Sequence, residues 1–190
     1  MSNYVLDAKY QHLTYATDDL NFTDFERCHF SHCDFSGCTF LAVTFIDCSF
    51  TDCVFDGAKI NYVALRTAAF IRCQIREVNF SMCDKLIFEI SFDQCILDFS
   101  KFYTLRLKQT SFVDCSLIAV DFMAANLTEA VFDRCDLYRA EFANAIAYKA
   151  DFRTSHNYTI DPKKTIIKKA QFSLQQAKGL LFKHEIRVSD

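Results

Sequence analysis

The chain has 190 residues, with 21 Lys and Arg against 24 Asp and Glu, a net charge of −3 and a half-apolar composition. Its three glycines and single proline leave no material for flexible linkers or a glycine-rich phosphate loop. No apolar run is long enough to cross a membrane, and Met1–Tyr10 lacks the basic-then-apolar order of a signal peptide, so a cytoplasmic protein is expected.

Residues 1–24 read as a lead-in or cap in which Ala8/Tyr10 and Leu13/Tyr15 are weak copies of a pattern that becomes regular further along the chain. That pattern, a five-residue period, sets in with Phe25, Phe30, Phe35, Phe40, Phe45, Phe50 and Phe55, and continues through Ile60, Leu65, Phe70, Ile75 and Phe80. A compact residue stands two places before these centres, as at Cys28, Cys33, Ala58 and Val78. Five fits neither the 3.6 of a helix nor the 2 of a flat strand, so the backbone must turn a corner every five residues. Residues 81–91 break phase, and Lys85 falls where a centre is due, which predicts a bulge. The pattern resumes over 92–152. Residues 153–164, with Pro162, read as an irregular side or external loop, and the register returns with Thr165/Ile167 and Ala170/Phe172. Over 173–190, Ser173 and Gln176 fit a capping box before a helix carrying Leu174, Ala177, Leu180 and Leu181, and Glu185–Val188 alternates like a strand. Such a segment would cover the open end of a repeat array.

Four five-residue sides close a square, so one coil takes about 20 residues. Sampling every 20, with two extra residues inside 81–91, gives the column Phe30, Phe50, Phe70, Phe92, Phe112, Phe132, Phe152, Phe172. The same insertion aligns Phe35, Phe55, Ile75, Leu97, Leu117 and Leu137, and likewise Phe40, Ile60, Phe80, Phe102, Phe122 and Phe142. A fourth, weaker column runs Phe25, Phe45, Leu65, Ile87, Leu107, Leu127, Ala147, Ile167. The prediction is an all-β solenoid whose coils stack at about 4.8 Å, giving a rod of roughly 34 Å over the phenylalanine column.

All ten cysteines occupy the compact inward station, which makes them small buried hydrophobes rather than a disulfide framework. The cluster Cys28-His29…His32-Cys33 has metal-ligand chemistry, but its cysteines face inward and its histidines outward, so no metal or cofactor is expected. No nucleophile elbow, zinc-protease motif or CxxC pair is present, the histidines are scattered and a flat wall offers no cleft, so no enzyme is expected. Charge is uneven. Residues 1–60 hold nine acids against three bases, net −6, whereas 161–190 hold three acids against seven bases, net +4. Asp24, Glu26, Asp34, Asp47, Asp52 and Asp56 project outward as a candidate acidic partner-binding surface, since a rod with regular negative charge can stand in for a phosphate array. A solvated face that keeps a rod soluble explains the same acids.

The five-residue pattern from Phe25 to Phe172 resembles the pentapeptide repeat family, which implies a right-handed quadrilateral β-helix. The stretches Asn157-Tyr158-Thr159-Ile160-Asp161, Ile167 to Leu174 with Leu180-Leu181, and Phe92 to Leu97 are similar to the albicidin-resistance subgroup, related to the Qnr and microcin-immunity proteins. That resemblance implies a non-enzymatic DNA mimic that binds DNA gyrase or topoisomerase IV and protects it from inhibitors. It also implies a homodimer through the C-terminal end, with Leu174, Ala177, Leu180, Leu181 and Ile186 as candidate contacts, and loops 81–91 and 153–164 as candidate partner elements. The basic C-terminal end departs from this pattern, because a DNA mimic should be negative near its dimer centre. The alternative is a structural interaction module with another protein partner. Direct nucleic-acid binding is not expected at this net charge.

Overall fold

The computed structural model describes residues 3–184, which wind as a parallel β-solenoid with four sides per coil. Side A carries β1 (Asn3–Leu6), β3 (Thr23–Glu26), β5 (Thr44–Ile46) and β7 (Ala64–Arg66). Side B carries β2 (Lys9–Gln11), β4 (His29–Ser31), β6 (Ser49–Thr51), β8 (Ala68–Ile71), β9 (Ile90–Asp93), β10 (Ser111–Val113) and β11 (Val131–Asp133). Sides C and D hold together through single parallel bridges, such as Asp34↔Val54↔Gln74 on C and Lys101↔Asp121↔Glu141 on D. The registers Phe30↔Phe50 and Phe50↔Phe70 step by 20 residues, and Phe70↔Phe92 steps by 22, so the insertion lies where the phase breaks. The first coil starts earlier than the sequence suggests. Asn3–Leu6 and Lys9–Gln11 are already wound as sides of a coil, since β1 pairs with β3 and β2 with β4 in full register.

Each side repeats one local conformation. The compact residue and the centre point inward, their neighbours point outward, and the residue two after the centre takes a left-handed φ near +55°, as at Arg27, Asp52, Arg72, Asp114 and Arg134. This turns the corner, and Gly37 and Gly57 fill the same station at sides where no side chain is used. At many corners where coils meet through single bridges, the centre's carbonyl accepts the N–H three residues on, as in Cys38 N to Phe35 O at 3.1 Å. Cysteine completes the corner: its thiol donates to the centre carbonyl of the preceding coil, at 3.5 Å for Cys53 to Phe30 O and 3.3 Å for Cys73 to Phe50 O. Ser100, Ser155 and Thr165 do the same with hydroxyls at 2.7, 2.8 and 2.9 Å. The compact station therefore favours a small donor, and not merely a small apolar group.

The core is the inside of the square. Rings stack between coils, from Tyr10 on Phe30 at 4.8 Å to Phe152 on Phe172 at 5.3 Å, and meet edge-on within a coil, as Phe45 meets Phe50 at 81°. Tyr10 extends the column of eight phenylalanines to nine rings and a rod of roughly 40 Å. Phe30, Phe50, Phe70, Phe92, Phe112, Phe132 and Phe152 are buried, whereas Phe172, on the last coil, is only partly so.

Two local readings are corrected and a third is decided. In the fourth column Ile87 is half exposed and Phe88 packs on the core instead, because the excursion from Asp84 to Glu89 leaves and rejoins β7's neighbours through Asp84 N to Val63 O and Glu89 N to Leu65 O. Of the two alternatives for 153–164, the structure shows the irregular side rather than the external loop. Ser155, Tyr158 and Ile160 are buried, and only the turn around exposed Pro162 stands outside. Asn157 sits where a centre is due but takes the left-handed conformation, and the next residue, Tyr158, supplies the ring. Among the described residues the C-terminal segment forms no α-helix. It makes two short 3₁₀ turns, Ala177–Leu180 and Phe182–His184, although Ser173 Oγ does accept the Gln176 N–H at 3.3 Å. A lone helix of this length is marginal, and here the segment is pinned flat by Ile160 N to Gly179 O at 3.2 Å. The alternating stretch Glu185–Val188, with Ile186, lies outside the described residues.

Candidate partner-binding surfaces

The solenoid presents its side chains in vertical files, so each outward residue faces the residue one coil away. Asp24, Glu26 and Asp47 lie on side A, Asp52 on side B, and Asp34 and Asp56 on side C, so the six candidate acids do not form one surface. Three of them are neutralised by a base. Arg72 clamps Asp52 with two bonds of 2.8 Å, Arg76 holds Asp56 at 2.9 Å, and Arg27 holds Glu26 at 2.9 Å while also clamping Asp7. Asp34 accepts the Ser36 N–H at 2.8 Å, bracing a corner. Among the described residues Asp24, Asp34 and Asp47 make no ion pair, and they are the acids of this set that keep a free negative charge.

The bases missed by sequence reasoning obey a simple rule. Asp7/Arg27, Asp52/Arg72, Asp56/Arg76, Asp114/Arg134 and Glu129/Lys149 are each separated by 20 residues, so a search for opposite charges at one coil's spacing would have found them. The arginine hydrogen bonds hold the Asp7, Asp52 and Asp114 carboxyls below the usual carboxylate range. His12 and His32 stack one coil apart at 4.9 Å, next to Asp52.

Cys28 and Cys33 are buried, whereas His29 and His32 are exposed, the first bonded to Ser49 Oγ at 2.7 Å. Burial pushes the Cys48 thiol up to about 11, and it raises that of Cys83 as well, so neither is a ready nucleophile. The wall is not without concavity. A cleft of about 1260 Å³ opens between the C-terminal turns and side C, correcting the expectation of none. Among the described residues its titratable groups are Tyr138, Arg139, Tyr158, Lys178 and Lys183, with no carboxylate, histidine or thiol. Of the candidate dimer contacts, Leu174 is 96% exposed, Leu181 is exposed, Ala177 is half-buried and Leu180 packs on the core.

The family model for the pentapeptide repeat region matches residues 23–85 and 85–158. The chain belongs to the pentapeptide repeat family. No curated protein sequence matches it. Among solved structures it is similar to a trypsin-treated form of QnrB1, described as a plasmid-mediated fluoroquinolone resistance protein, with a TM-score of 0.56, 14% identity and coverage of 98% of this chain and 99% of that one. A second trypsin-treated QnrB1 structure gives 0.50 at 16% identity, covering 98% and 100%. HetL, a pentapeptide repeat protein involved in heterocyst differentiation regulation from the cyanobacterium Nostoc sp. strain PCC 7120, gives 0.53 at 14% identity, covering 89% and 86%. At these identities the likeness is one of fold. No helix among the described residues is long and apolar enough to cross a membrane.

Proposed function

We propose that this pentapeptide repeat protein acts without chemistry of its own, as a rod that binds DNA gyrase or topoisomerase IV and protects it from inhibitors. The observation that carries the reading is a rod of stacked coils, about as long as a turn of duplex, whose N-terminal coils keep free carboxylates at Asp24, Asp34 and Asp47. The fold it shares with QnrB1 supports the same reading. The ion-paired acids Asp52 and Asp56 contribute less, since Arg72 and Arg76 cancel their charge.

The test is a gyrase supercoiling assay with a fluoroquinolone or another gyrase poison. Purified protein is expected to restore supercoiling. Asp24→Lys with Asp34→Lys and Asp47→Lys is expected to abolish the effect while the thermal midpoint stays close to the parent's. Supercoiling and poison sensitivity that do not respond to excess protein would overturn the proposal. A second reading, an interaction module for a different protein partner, is favoured by the comparable match to HetL, and capture of a non-topoisomerase partner from the host would support it.

A further inference from the structure

The corner where side D turns into side A differs from the other three. The two positions after each side-D centre carry no charged residue from Asn21 to Asn144, and all but Ser81 face outward. Phe22, Leu41, Tyr62, Met82, Tyr103 and Met123 stand there, coil above coil, among Ala, Asn, Ser and Thr. They adjoin through the backbone, by Phe22 N to Leu41 O at 2.9 Å, Tyr62 N to Met82 O at 2.8 Å and Thr104 N to Met123 O at 2.9 Å. The same positions on side B carry Asp52, Arg72, Asp93, Asp114 and Arg134. Phe22 and Tyr62 are 53% and 73% exposed while holding left-handed backbone, so these bulky rings accept strain without gaining burial within the chain. Beside the ridge, the excursion on side A exposes Leu86 and Ile87.

Side A next to this ridge is bipolar. Its N-terminal half holds Asp7, Asp24, Glu26 and Asp47 against Arg27 and Arg66, its C-terminal half holds Arg106, Lys108, Lys149, Lys168 and Lys169 against Glu129, and the excursion between them carries Asp84, Lys85 and Glu89. We infer that this ridge and side A form an interaction surface for a second copy of the chain, laid antiparallel. A two-fold axis near Tyr62 and Ile87 sets apolar side chains on apolar side chains at the centre and each acidic half on the partner's basic half. Parallel stacking would set like charge on like. A strip of roughly 40 by 15 Å buries about 600 Å² per copy, about 1,200 Å² in all, at the lower edge of stable interfaces, so the pairing is weak and salt-sensitive, and it competes with a topoisomerase contact through Asp24 and Asp47.

Sedimentation of the purified chain at low and high salt tests this, independently of any topoisomerase. A concentration-dependent dimer that weakens with salt is expected. Asp24→Lys with Asp47→Lys, or Lys168→Glu with Lys169→Glu, is expected to weaken it by about tenfold or more. These four changes combined with Lys108→Glu reverse the sign of both halves and are expected to restore it, a rescue that misfolding cannot mimic. Tyr62→Asp, tolerated in left-handed backbone, is expected to weaken it as well. A chain that stays monomeric throughout overturns the inference. So does a dimer indifferent to these swaps but lost on Leu174→Asp, which would place the contact at the C-terminal end.

Discussion

Phe70 shows what one residue contributes. Its ring lies between Phe50 and Phe92 at 5.0 and 5.2 Å and meets Phe55 and Phe80 edge-on. Phe70→Ala should cost about 3–5 kcal/mol by denaturant titration. Phe172→Ala, at the partly buried end of the same column, should cost clearly less. A loss at Phe70 no larger than at Phe172 would mean that the column is not one continuous core. The corner station gives a second, opposite case. Gly57 has φ +67° and open space where a Cβ would sit, so Gly57→Val meets strain and no clash. A cost of about 1–2 kcal/mol is expected from left-handed strain alone, and an unchanged midpoint would show that the corner imposes none. These centres were legible from the five-residue period. The corner conformation was not, because residues as different as Arg27, Tyr62, Ala124 and Lys149 all adopt it, imposed by hydrogen bonds to the next coil rather than by local preference.

At the scale of the side, the outward files are ladders of opposite charge. Arginine lowers the carboxyl pKa of Asp7, Asp52 and Asp114 in the folded chain. A depressed folded value means the stabilisation is in place above the ordinary carboxylate pKa of about 4 and is lost as pH falls through that range toward the depressed value. The thermal midpoint should therefore fall as pH drops below about 4. In Asp52→Asn the fall should be shallower, and an identical pH profile in the variant would remove Asp52 from the account. The groups are largely exposed, so each contributes little by itself. The ladders also decide which acids can meet a partner. Sequence reading grouped Asp52 with Asp47, yet one carries a clamped arginine and the other no ion pair among the described residues. The difference lies in a residue one coil away, which a window along the chain does not see.

At the scale of the molecule, the rod separates charge along its length and apolar surface around its girth. Acid at one end and base at the other arise from composition. The uncharged ridge appears only once the files are wound into register, since its members are spaced by 19 to 21 residues and none is unusual in its own neighbourhood. The C-terminal segment illustrates the same limit. Its apolar spacing is helical, but Gly179 must pass close against the backbone and ring of Tyr158, and a Cβ there would collide with both. Contact with the last coil, rather than helical propensity, sets its conformation.

By itself, then, the amino-acid order determined the period, the four-sided winding, the inward phenylalanine column and the seat of every cysteine. It could do so because a repeated side must bury the same position each time, and a repeat announces itself locally. What the tertiary structure alone decided was the identity of neighbours between coils: which carboxylate meets an arginine, which thiol meets a corner carbonyl, where Tyr158 and Phe88 replace Asn157 and Ile87. Those choices depend on contacts 20 or more residues apart, made by winding, and on free space that only a closed square defines.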